Sequence, residues 1–81
     1  MRWEIKWRHG AAASLRFIPW REAARVDAAV QRFAEAGDGD LEWVEGSRAD
    51  YRLFVPGYGI LIELDAEAHR LDVWSVTRRG A

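Results

Sequence analysis

Residues 2–8 alternate without a fault, with Trp3, Ile5 and Trp7 on one face and Arg2, Glu4, Lys6 and Arg8 on the other. A two-residue period with one charged face predicts a half-buried strand, because successive side chains of an extended chain point to opposite sides. Residues 9–18 admit two readings. Gly10 interrupts the strand, Ala11-Ala12-Ala13-Ser14-Leu15 has high helix propensity, and Leu15 and Ile18 stand three apart, as on one face of a short helix. In the rival reading, Leu15 and Phe17 point inward from a second strand that forms a hairpin with residues 2–8.

A longer helix follows. Pro19 suits its first position, where a missing N–H costs nothing. Ala23, Val26, Val30 and Phe33 then recur at steps of three and four, with Ala29 beside them, while Arg21, Glu22, Arg25, Gln31, Arg32 and Glu35 cover the rest. That stripe predicts an amphipathic helix of about 17 residues with one face set to pack on a sheet. Gly37-Asp38-Gly39-Asp40 ends it, since glycine takes the left-handed conformation without steric penalty.

Period two returns in the second half. Leu41, Trp43 and Val44 mark a weak strand within residues 41–46, and Tyr51, Leu53 and Val55 alternate with Arg52 and Phe54. Pro56-Gly57 suits the centre of a type II turn. Tyr58, Ile60, Ile62 and Leu64 share the next face, a polar turn spans Asp65 to His69, and residues 70–77 form the final strand. Short connections imply that the last three strands form an antiparallel meander. The fold class expected is therefore α+β, one domain over residues 1–81, with two helices on one face of an antiparallel sheet that the first strand joins.

Composition narrows the chemistry. A chain of 81 residues buries only about 60–65% of its unfolded surface. Five Trp, three Phe and two Tyr supply large core groups in place of disulfides, and the absence of Cys removes thiol catalysis, Cys-ligated zinc and a disulfide scaffold. No secretory signal or membrane span is expected, because charges interrupt the first ten residues and no long apolar run follows. A cytoplasmic location fits this. The formal net charge of −1 argues against nucleic-acid binding by bulk electrostatics. The charge is unevenly spread: residues 1–32 carry seven basic and three acidic side chains, residues 33–72 three and ten, and residues 73–81 two and none.

Few constellations carry chemistry. His9 and His69 lie far apart and lack the short ligand spacing of zinc sites, so neither metal nor other cofactor is expected. Ser14, Ser47 and Ser75 have no nucleophile elbow, and Gly57-Tyr58-Gly59 opens no helix that could receive a phosphate. Glu35, Asp38, Asp40, Glu42 and Glu45 read as a solvated loop cluster. Trp3 and Trp7 are expected in the core. Trp74 lies on the face opposite Leu71 and Val73, so the sheet bears large apolar groups on both sides and one side is expected to meet a partner or a second copy.

The element order, with Leu15-Arg16-Phe17-Ile18-Pro19 between helices, Tyr51-Arg52-Leu53 with Val55 and Gly57-Tyr58 at the hairpin, and Val73 with Val76 before Arg78-Arg79, resembles the RelE/ParE superfamily of small bacterial toxins. The resemblance spans nearly the whole chain and implies a β-α-α-β-β-β order with residues 10–18 helical. It also implies that basic groups around a scissile phosphate would fall at Arg52 and at Arg78 or Arg79. Two further basic positions of the RNA-cleaving branch are Phe54 and Gly59 here, and no Tyr follows Arg79.

Cleavage through a 2′-hydroxyl needs a base, an acid and positive charge; arginine supplies charge but stays protonated. The resemblance therefore implies a toxin-like component of a type II toxin–antitoxin pair acting mainly by protein binding, with an acidic amphipathic antitoxin segment as partner and a target such as gyrase. Arg52, Trp74, Arg78 and Arg79 are the expected partner- or phosphate-binding residues. The alternatives are a ribosome-dependent endoribonuclease with Arg52 and Arg79 as catalytic groups, and a non-toxic interaction module on the same fold.

Overall fold

A computed structural model describes residues 2–80, with β1 (Glu4–Trp7), α1 (His9–Arg16), α2 (Trp20–Ala36), β2 (Asp40–Trp43), β3 (Asp50–Val55), β4 (Tyr58–Asp65) and β5 (Arg70–Arg78). The sheet order is β1-β5-β4-β3-β2. Residues 10–18 take the helical reading: Ala11 is fully buried, Leu15 and Ile18 pack against the core, and Phe17 points to solvent. A strand with Phe17 inward is excluded.

Helix α2 has the expected 17 residues and buries Val26, Ala29, Val30, Phe33 and Ala34. Its start differs by one residue from the sequence expectation. Pro19 has ψ 137°, outside the helix, and acts as the N-cap residue, its carbonyl accepting the N–H groups of Glu22 and Ala23 at 2.9 Å. Gly37 closes the other end in the left-handed conformation (φ 71°), donating its N–H to the Phe33 carbonyl at 2.8 Å.

Strands β3, β4 and β5 form the antiparallel meander, but the sheet is mixed, because β1 pairs parallel to β5. This corrects the wholly antiparallel expectation: no tight turn links β1 to β5, and the helices and three strands that separate them in the chain leave the parallel direction open. The observed register sets Glu4 against Arg70 and Lys6 against Asp72, with Ile5 beside Leu71. A second correction concerns number. The weak signal at residues 41–46 is a true edge strand, β2, antiparallel to β3 and held by Leu41 against Leu53, so four strands follow the helices rather than three.

One core joins these layers. Leu53, Tyr58, Ile60, Ile62, Leu71, Val73 and Val76 of the sheet meet Ala11 of α1 and the buried stripe of α2. Trp3 and Trp7 lie at its margin, only partly buried, since both are on or before the edge strand β1. The opposite face of the sheet carries no helix.

Candidate functional site

A register shift in β5 decides what the open face displays. Leu61 pairs with Ser75 but Ile62 pairs with Val73, leaving Trp74 as an extra residue. A one-residue bulge turns neighbouring side chains to the same side. Trp74 and Ser75 therefore both reach the open face while Val73 and Val76 stay in the core.

Arg52, Phe54, Gly59, Leu61, Ser75, Thr77, Arg78 and Arg79 line a shallow depression of about 390 Å³ on that face. Arg52 stands half exposed, with Nη1 3.8 Å from Glu42 Oε1, a loose pair between exposed side chains. Such pairs contribute about 0–1 kcal/mol, so Arg52 remains available to an incoming anion. Arg79 follows β5, donates its N–H to the Gly57 carbonyl at 2.9 Å, and holds its guanidinium 4.4 Å from the centre of the Phe54 ring. Gly59 lies beneath this pair, and a Cβ there would meet the Phe54 ring at 3.6 Å and Arg79 Cγ at 3.9 Å, ordinary contact distances.

Arg78 is aimed differently. Its guanidinium sits 5.8 Å over the Tyr58 ring, with Nη2 3.5 Å from the Tyr58 hydroxyl, beside the first turn of α2. The same hydroxyl donates to Glu22 Oε1 at 2.5 Å. That bond to a carboxylate, with burial second, raises the Tyr58 pKa above its ordinary value of 10.0, and Arg78 opposes the shift.

Trp74 lies beyond the depression at the far end of the open face, 41% exposed. Its indole N–H donates to Glu63 Oε1 at 2.9 Å and Arg8 stacks 4.8 Å from its ring centre. The one polar group of the ring is met internally and Arg8 packs against its face, so what it presents to solvent is apolar. Arg8 is in turn anchored by Asp72 at 2.9 Å, and Arg70 holds the same buried carboxylate at 3.2 Å.

The four residues expected from the sequence are thus divided. Arg52 and Arg79 share the depression, Arg78 borders it and turns toward Tyr58, and Trp74 stands apart on the same face. Reading the sequence alone passes over Glu42, which the structure moves from a loop cluster onto β2 beside Arg52, and over Leu61, Ser75 and Thr77, ordinary strand residues until the sheet brings them together. The lining contains no His, Lys, Tyr, Asp or Glu. Charge stabilisation and hydroxyl hydrogen bonds are available there, while a proton-accepting group is not. Among the described residues, no cluster of three or more His, Cys, Asp or Glu could hold a metal ion, and no helix is long and apolar enough to cross a membrane.

No protein-family model and no curated protein matches the sequence. Solved structures do match in fold. A chain of the toxin–antitoxin complex RelBE2 from Mycobacterium tuberculosis superposes with a TM-score of 0.73 at 19% identity, covering 98% of this chain and 100% of that one. A chain of the RelB–RelE antitoxin–toxin complex from Methanococcus jannaschii gives 0.75 at 18% identity, covering 90% and 88%. The fold is therefore one found in toxin–antitoxin complexes.

Proposed function

We propose that this chain is the toxin-like component of a type II toxin–antitoxin pair and acts mainly by binding protein. One observation carries the reading: the open face joins Trp74 and an apolar floor of Phe54 and Leu61 to two available guanidiniums, Arg52 and Arg79, with no proton-accepting side chain in the lining. Such a surface matches a segment that alternates apolar and acidic side chains, as an antitoxin would offer. The fold likeness to chains of RelB–RelE complexes supports a place in such a pair, and the residue echoes of the toxin superfamily favour its toxin side.

Growth of a bacterial host expressing the chain alone, and together with any small acidic open reading frame found beside its gene, tests this. Arrest relieved by the neighbour, with a stable complex weakened by Arg52→Ala, is expected; undiminished growth at good soluble yield would sink the toxin role. Gyrase as the target is tested by supercoiling in the presence of the purified protein.

A second reading has its own observation. Glu42, the nearest carboxylate to Arg52, could serve as the missing base for ribosome-dependent cleavage of message. Mapping cuts on ribosome-bound RNA decides: cleavage lost in both Arg52→Ala and Glu42→Gln would replace the binding role with an enzymatic one.

A further inference from the structure

Where α1 meets α2, the chain buries its aliphatic side chains and displays its aromatic ones. Leu15 and Ile18 pack against the core, whereas Phe17 is 87% and Trp20 75% exposed, the highest values of any large apolar residue among those described. Burying either ring would favour folding, yet both stay largely open to solvent.

The charge around them is one-sided. From His9 to Asp27 the basic residues are Arg16, Arg21 and Arg25, and the acids are Asp27, at the far end of that stretch, and Glu22. Its carboxylate is engaged by the Tyr58 hydroxyl at 2.5 Å, with Arg78 3.5 Å from that hydroxyl. Arg21 holds its guanidinium 5.3 Å from the centre of the Trp20 ring. Two largely exposed aromatic rings therefore stand beside Arg16 and Arg21, neither of which makes an ion pair among the described residues.

We infer that this junction is a second docking surface and that it receives an acidic amphipathic helix of another protein. Apolar side chains of that helix would cover Phe17 and Trp20, and its carboxylates would meet Arg16 and Arg21. A second copy of this chain docking through the same patch would set Arg16 and Arg21 against their own equivalents. Stacked nucleic-acid bases fit less well, because Arg21 already covers one face of Trp20. None of Arg16, Phe17, Trp20 or Arg21 lines the open-face depression, so the inference stands apart from the function proposed above.

The test uses the full chain and a synthetic helical peptide with a leucine stripe and glutamates elsewhere. Controls are the same residues scrambled, a version with lysine for glutamate, and a single-stranded RNA oligomer. The glutamate peptide is expected to bind and to shift the backbone amide resonances of residues 16–21. Phe17→Ser and Trp20→Ser are expected to weaken it about tenfold or more with circular dichroism unchanged, while Arg52→Ala leaves it intact. Equal binding of the scrambled peptide, displacement by RNA, loss with Arg52→Ala instead, or a concentration-dependent dimer abolished by Trp20→Ser would each overturn the assignment. So would no binding at all.

Discussion

Asp72 is the buried charge on which several side chains converge. It is 2% exposed, takes Arg8 Nη2 at 2.9 Å and Arg70 Nε at 3.2 Å, and through Arg8 fixes the ring of Trp74. Truncating it removes the carboxylate from Arg8, which remains about a third open to water, while Arg70 keeps Asp65 at 3.4 Å. Asp72→Ala is therefore expected to cost about 1–3 kcal/mol in urea unfolding, below the cost of leaving a fully buried charge alone. Trp74 fluorescence should shift with it, since Arg8 loses its anchor. Tyr58 gives a second residue-scale prediction. Its pKa is raised chiefly by the bond to Glu22, so Glu22→Ala should lower it toward the ordinary phenol value in an ultraviolet titration. A phenol with a raised folded-state pKa keeps its proton longer when folded than when unfolded. Its contribution is thus fully present below about pH 10 and fades as pH climbs through the folded pKa. The Glu22→Ala variant should lose that alkaline dependence.

Among the elements, α2 has the clearest termini. Gly37 sits at φ 71°, and a Cβ added there would have no neighbour within 4 Å, so a substitution meets backbone strain alone and no clash. Gly37→Ala is expected to destabilise by about 1 kcal/mol, measured by denaturant midpoint with an unchanged slope. Helical and strand periods announced α2, β1, β3, β4 and β5 because each buries one face against a single core. Strand β2 was faint in the sequence: only Leu41 of its four residues packs against that core, while Asp40, Glu42 and Trp43 are exposed. The bulge at Trp74 was invisible, since an extra residue in β5 shows only against the register of β4.

Over the whole molecule, two faces of the sheet do different work. One is sealed by α1 and α2 and holds the core; the other leaves Arg52 and Arg79 open to solvent around the depression. Arg52→Ala should leave unfolding free energy within about 0.5 kcal/mol of the native value while weakening binding of the acidic partner proposed above, a separation checked by pairing thermal denaturation with titration calorimetry. Affinity through these guanidiniums should also fall as salt rises, as exposed charge contacts are screened beyond about 10 Å at 0.1 M.

The order of elements, the apolar stripe of α2 and the placing of Trp74 away from Leu71 and Val73 were all present in the amino-acid string, because periodicity is a local property that burial imposes on each segment. The direction of β1, the meeting of Arg52 with Arg79 over Phe54, the arrival of Glu42 beside Arg52 and the turning of Arg78 toward Tyr58 were decided only by the packed sheet. Those facts depend on which strands become neighbours and in what register, and that follows from the sum of many distant contacts.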